Sequence, residues 1–231
     1  MNIDFANENT INNVSKMELV KMKETISVEK NNYIRIKRIL DCILATIALI
    51  LLSPIYLIIA IAVKIDSKGP AFFKHTRIGK NGKTIKIYKY RTMVTNAEEL
   101  IKQFTPEQMK EYKENFKLEN DPRITKVGKF LRKTSLDELP QLLNIIQGDL
   151  ALIGPRPIVK KELEKYGENA GKFLSVTPGL TGNWAASGRS NTTYEERMEM
   201  ELWYVDNISF ITDVKIFFKT IIAVIKKEGA K

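Results

Sequence analysis

Residues Cys42 to Val63 run for 22 positions without a charge, 13 of them Leu, Ile or Val, and no other feature restricts the fold of this chain so strongly. As a continuous helix the run rises about 33 Å, close to the hydrocarbon thickness of a bilayer. At about 0.3–0.6 kcal/mol per aliphatic side chain, those residues favour insertion by roughly 4–8 kcal/mol. About 40 polar residues precede the run and no small-residue cleavage site follows it, which argues against a signal peptide. A buried core helix is the competing reading, yet nearly every face of the run is apolar. Ser53-Pro54 interrupts the middle, where proline withdraws a backbone donor and kinks or breaks a helix. Arg35, Lys37 and Arg38 precede the run; Lys64, Lys68, Lys74 and Arg77 follow it, so the positive-inside rule draws both flanks to the cytosol. A helix that bends at Pro54 and re-enters on the same side meets both observations. A kinked spanning helix remains the alternative.

The chain carries 37 Lys and Arg against 27 Asp and Glu, a net charge of +10. That surplus points to an anionic partner: nucleic acid, anionic lipid or a phosphorylated substrate. On charge alone, a membrane-attached nucleic-acid-binding or scaffold protein ranks level with an enzyme. One cysteine, Cys42, leaves no internal disulfide and no cysteine-rich zinc site. One histidine, His75, leaves no His pair for a metal and argues against a Ser-His-Asp triad. Chemistry must rest on carboxylates, cations and backbone.

Residues 1–31 form a polar tail with a short helix expected near Ser15 to Glu29. Residues 32–66 hold the membrane segment, and 67–231 read as one cytosolic domain without repeats. From Ser67 to Ala97 there are eight Lys or Arg and no acid. There, Ala71 to Ile78, a turn with the Asn81-Gly82 signal, and Thr84 to Arg91 predict a β-hairpin. A regular second strand puts Lys89 and Arg91 on one face with Ile85 and Ile87, and inward cations need an anion to pair with. Helices are expected over Asn96 to Phe116, Thr125 to Lys133, from near Ser135, and over Thr193 to Tyr204. A last helix, Ile211 to Ile225, carries Ile211, Val214, Phe218, Ile221, Ile222 and Ile225 on one stripe, with Lys219, Lys226 and Lys227 off it or beyond its end. That stripe packs on a core or lies in a membrane interface. The fold class is α+β, predominantly helical: a re-entrant membrane helix, then a cytosolic domain with a small β-hairpin and amphipathic interfacial helices.

Arg132-Lys133-Thr134-Ser135-Leu136-Asp137-Glu138 sets two acids behind two cations. Ser135 with Glu138 has the spacing of a capping box, and acids suit the first turn of a helix. A helix N-terminus also binds phosphate, and a carboxylate held there near Arg132 stays ionised, fit to act as nucleophile or metal ligand. Cap and site can share one turn. In Gly154-Pro155-Arg156-Pro157 two prolines stiffen the backbone around one arginine; an ordinary extended connector would look the same. Asp121-Pro122-Arg123 has similar character and fits a turn or helix start. Thr177-Pro178-Gly179 reads as a turn, Asp213 as a solvated acid off the apolar stripe, and His75 as a strand residue. No Walker loop or Rossmann fingerprint is present.

With these residues in view, Lys37 to Gly229 resembles the bacterial sugar transferases of the monotopic polyprenol-phosphate phosphoglycosyl transferase type. The resemblance runs through Lys37-Arg38-Ile39-Leu40-Asp41, Ser53-Pro54, Gly69-Pro70, Phe73 to Gly79, Tyr88 to Met93, Asp121 to Thr125, Thr134 to Gln141, Gly148 to Pro157 and Thr177 to Gly182. His75 stands where a glutamine is common. About 36 residues precede the match, which suggests the short, catalytic-core type. The resemblance implies transfer of a sugar 1-phosphate from a UDP-sugar to undecaprenyl phosphate, with Mg²⁺ and release of UMP, at the cytoplasmic face of the bacterial inner membrane. It implies membrane lipid as a partner and no nucleic acid. It further implies that Asp137 is the nucleophile and a metal ligand, that Glu138 is its partner acid, and that Arg156 binds phosphate. Lys89, Arg91, Arg123 and Arg132 are further candidate cations, Asp213 is a required acid without an assigned task, and Ser53 and Pro54 make the break. Sugar choice is invisible, with Gly188 to Thr193 a weak candidate for contact.

Overall fold

The computed structural model of the chain describes residues 31–226 apart from 116, 117, 119 and 189–191. The helix expected near Ser15 to Glu29 lies outside those residues, as do Lys227 and the middle of the Gly188 to Thr193 loop. Helices α1 (Asn31–Leu51) and α2 (Ser53–Asp66) open the described chain and meet at a 65° bend. The bend has a local cause. Pro54 has no N–H to give the Ile50 carbonyl four residues back, and the Ser53 hydroxyl donates to that carbonyl instead, at 2.8 Å. Helical bonds resume on either side, from Leu52 N to Ala48 O and from Tyr56 N to Leu52 O, both 2.9 Å. Among the described residues no single helix is long and apolar enough to cross a membrane; the bent pair together is. Its outward faces are aliphatic, with Ile43, Leu44, Ile47, Ile50, Leu57, Ile58 and Ile61 exposed.

Strands β1 (Phe72–Ile78) and β2 (Thr84–Tyr90) form the expected antiparallel hairpin, with His75 opposite Ile87. Its turn takes positive φ at Asn81 (55°) and Gly82 (78°), the conformation an Asn-Gly pair favours. Next come α3 (Ala97–Ile101) and α4 (Pro106–Asn115), where one long helix was expected. Pro106 cannot donate into a preceding turn and so starts a new helix. Helix α5 (Lys126–Thr134) is capped by the Thr125 hydroxyl, which accepts from Gly128 N at 3.0 Å. A single 3-10 turn, Leu136–Glu138, leads to α6 (Gln141–Gln147). The rest comprises β3 (Ala151–Ile153), α7 (Lys160–Leu163), α8 (Ala170–Leu174), β4 (Gly179–Thr181), α9 (Asn183–Ala186), α10 (Tyr194–Asp206) and α11 (Phe210–Lys226). Strands β3 and β4 pair in parallel and were not expected, because three residues are too few to show an alternation. Their contact depends on glycine: a Cβ on Gly179 would stand 2.1 Å from Gly154 N.

Both arms of the bent pair enter the domain core. Ala45 of α1 packs with Ile85, Ile87, Leu142, Ile145 and Leu150. Ile59 and Val63 of α2 pack with Ala71, Tyr90 and Leu131. Polar residues reinforce the joint. Arg38 donates to the Ile145 and Ile146 carbonyls at the end of α6 (2.5 and 2.8 Å), and Asp41 accepts from Leu152 N at 3.2 Å.

Helix α11 turns its apolar stripe outward, which decides between the two readings of that stripe. Ile211, Phe218 and Ile225 are 66, 60 and 74% exposed, whereas Asp213, Ile216 and Ala223 are buried. Core packing of that stripe is therefore excluded. Asp213 is no solvated acid either. It accepts from Lys37 Nζ (2.5 Å), the Tyr33 hydroxyl (2.6 Å) and the Tyr204 hydroxyl (2.7 Å).

Candidate active site

Asp137 and Glu138 sit on the 3-10 turn after α5. Ser135 takes left-handed geometry (φ 57°, ψ 16°), ending α5, and its side chain makes no cap. The capping-box reading is thereby corrected: no helix long enough to present a phosphate-binding N-terminus follows Ser135. Three contacts fix the turn. The Tyr56 hydroxyl of α2 donates to the Leu139 carbonyl, and the Tyr90 hydroxyl donates to the Tyr56 carbonyl at 2.9 Å. Asn144, fully buried in α6, accepts from Tyr88 N (2.9 Å) and donates to Lys86 O (2.8 Å), which locks α6 to β2.

That register carries Lys89 to the acids. Its Nζ lies 2.6 Å from Glu138 Oε1 and 3.9 Å from Asp137 Oδ2. Asp137 is 8% exposed. Burial raises its carboxyl above the ordinary range; Lys89 pulls it back, Glu138 adds to the rise, and Arg132 pulls it back again. Beside the acids opens a small, half-open cleft lined by Lys89, Glu138, Gln141, Arg156, His75 and Arg77, among others. The Arg156 guanidinium lies over the Trp184 ring at 5.5 Å. Arg77 touches Glu162 at 3.5 Å and His75 Nδ1 at 3.3 Å. Burial, then Arg77, Lys89 and Arg156, push the His75 imidazole down to about 4. The ring is neutral near pH 7, an acceptor for Arg77. Among the described residues, no cluster of three or more Asp, Glu, His or Cys could hold a metal. The carboxylates there are Glu138, in the cleft wall, and Asp137 next to it, with the Gln141 amide oxygen in the same wall.

The profile of the family described as "Bacterial sugar transferase" matches residues 32–227. The chain belongs to the bacterial sugar transferase family. It is 48% identical over 198 residues to an uncharacterized sugar transferase of Haemophilus influenzae, covering 84% of this chain and 42% of that protein. It is 41% identical over 215 residues to the undecaprenyl-phosphate galactose phosphotransferase of Salmonella typhimurium, covering 92% and 44%. A shorter relative, the exopolysaccharide production protein ExoY of Rhizobium meliloti, is 46% identical over 197 residues, covering 84% and 87%. The chain thus spans less than half the length of the first two relatives and most of the third.

The fold brings together Asp137, Glu138, Lys89 and Arg156, with Arg132 close enough to act on Asp137. Arg132 also donates to the Thr92 hydroxyl at 2.9 Å. The fold takes two expected cations elsewhere. Arg91 shares the inward face as expected, but its partners are carbonyls and the Ser67 hydroxyl. It donates to Pro70 O (2.7 Å), Ser67 Oγ (2.6 Å) and Ser67 O (2.8 Å), closing the end of α2. Arg123 is held by both oxygens of Asp121 (2.8 and 2.6 Å) and lies over Phe104 and Tyr112. Arg77 and Gln141, which line the cleft, and Trp184, against Arg156, were missed as site residues. Arg77 was within reach, since in the hairpin register it shares a face with His75, Ile85 and Lys89.

Proposed function

We propose that this chain transfers a sugar 1-phosphate from a UDP-sugar to undecaprenyl phosphate and releases UMP, as the membrane step that starts a surface glycan. The observation that carries the reading is one buried carboxylate, Asp137, beside Glu138 and Lys89 at a cationic cleft, on a domain whose core includes both arms of a bent apolar helix. In the first step an Asp137 oxygen attacks the phosphorus that bears the sugar. The bond from that phosphorus to the bridging oxygen breaks, and UMP leaves with the electron pair. In the second step an oxygen of undecaprenyl phosphate attacks the same phosphorus and expels the Asp137 carboxylate, while Glu138 takes the proton of the incoming phosphate. Lys89, Arg132 and Arg156 offset the repulsion between anionic reactants. Asp137, with Glu138 beside it, would hold Mg²⁺ together with substrate phosphates, the arrangement this ion prefers when few carboxylates are at hand, and the ion would neutralise developing charge.

The relatives' names support the lipid-phosphate acceptor, and those of two, an undecaprenyl-phosphate galactose phosphotransferase and a UDP-galactose-lipid carrier transferase, make UDP-galactose the first donor to try. Purified protein incubated with undecaprenyl phosphate, Mg²⁺ and a panel of UDP-sugars is expected to release UMP with at least one of them. UDP as the nucleotide product would mean transfer of the sugar alone and would sink the phosphosugar mechanism.

The bent pair is read as a re-entrant hook that keeps the domain at the cytoplasmic face, where lipid phosphate and soluble nucleotide sugar meet. In a Cys42→Ser background, single cysteines near Ser15 and near Gly171 should both resist an impermeant reagent added outside intact cells. Labelling at Ser15 alone would establish a spanning helix instead. Pro54→Leu, which restores the missing N–H, is expected to move part of the population to that spanning state.

A further inference from the structure

We propose that Glu201 is a positioning residue for Arg156, setting the guanidinium through the backbone of the Pro155–Arg156–Pro157 loop without touching substrate. The inference deepens the reading above and rests on it. Two prolines leave that loop a single backbone donor, Arg156 N–H, and it donates to Glu201 Oε1 at 3.1 Å. The near side of the loop is tied to β4, through Gly179 N to Pro155 O (2.8 Å) and Gly154 N to Thr181 O (2.9 Å). Glu201 supplies the tie at Arg156 itself. Among the described residues the Arg156 guanidinium has no acid within ion-pair distance and only the Trp184 face beneath it. Its location therefore follows its backbone.

Glu201 is an expensive way to make one hydrogen bond. The residue is 1% exposed, and Oε2 has no partner. Burial pushes its carboxyl up to about 7, against the pull of the Arg156 amide and of the Arg197 and Arg156 charges. A buried carboxylate with a vacant oxygen lowers stability, and an apolar residue would fold more readily there. Arg197, one turn earlier on α10, completes the support. It bonds Glu162 at 3.1 Å and lies 4.7 Å over the same Trp184 ring. Helix α10 thus reaches Arg156 twice, through its backbone by Glu201 and, by way of Arg197, through the Trp184 ring of α9.

The test uses the full chain in lipid nanodiscs, with UDP as the probe and calorimetry as the readout. Glu201→Leu is expected to weaken UDP binding by about tenfold or more with the melting temperature held or raised, while Glu201→Gln, which keeps an acceptor, stays within about threefold. On an Arg156→Gln background Glu201→Leu should add nothing, because both changes act through one guanidinium. Additive losses, or a Leu variant that binds like the wild type, overturn the proposal. If the Leu variant shows no cooperative melt, Glu201→Met, closer in shape and equally without an acceptor, takes its place under the same criteria. Failure of the unmodified protein to bind UDP would instead overturn the functional reading, and this inference with it.

Discussion

Asp137→Asn is expected to abolish UMP release, by about 10,000-fold or more, while the protein melts at the same temperature or higher. On the proposed mechanism the rate loss follows from removing the carboxylate that would form the phosphosugar ester; loss of a nucleophile is among the largest single-residue effects known. The gain in stability follows from linkage. Burial raises the Asp137 carboxyl in the folded state. Its contribution is therefore fully present below the unfolded value of about 3.8 and is lost as pH rises through the folded value. Asparagine has no proton to lose and escapes that penalty near pH 7. Turnover assays with the donor found in the panel and thermal melts at pH 5 and 8 check both halves. Near-normal turnover would end the covalent mechanism.

Asp213→Ala is expected to cost about 3–5 kcal/mol, the usual penalty for breaking a buried ion pair from one side. At roughly 2–4 °C per kcal/mol for a chain of this size, melting should fall by about 10 °C. The change leaves Lys37 with Asp41 as its remaining acid, 3.5 Å away, removes the Asp213 acceptor of the Tyr33 hydroxyl, and leaves the Tyr204 hydroxyl only the Ile153 carbonyl at 3.1 Å. The family resemblance made Asp213 important without a task; the structure makes it the bolt between α1 and α11. If Asp213→Ala melted like the unmodified protein yet lost all turnover, the bolt would be the wrong description and direct participation the better one.

Where local pattern decides local structure, the sequence was legible. Thr193 and Glu196 form the capping box that starts α10, and Asn81-Gly82 turns the hairpin. Ser135 and Glu138 share the spacing of Thr193 and Glu196, yet Ser135 goes left-handed because α5 ends there and Pro140 bars a helix through the turn. Spacing alone does not say which of two helices owns a serine. Asp213 failed for a different reason. A stripe argument assumes that the apolar face is the buried one, and in α11 it faces outward. Arg91 and Arg123 failed because their partners, the carbonyls closing α2 and the carboxylate of Asp121, are assigned only by packing. Asp137, Glu138 and Arg156 stood out in sequence, but what brings Lys89 to the acids is the β2–α6 register held by Asn144.

The hold of the domain on both arms of the bent helix has a mechanical consequence. Arg38 grips one arm, and Tyr56, on the other, grips the turn that bears the acids. If the bent pair lies in a bilayer as proposed, a change in its depth or tilt, through bilayer thickness or lipid packing, would reach the turn that bears Asp137 through these two contacts.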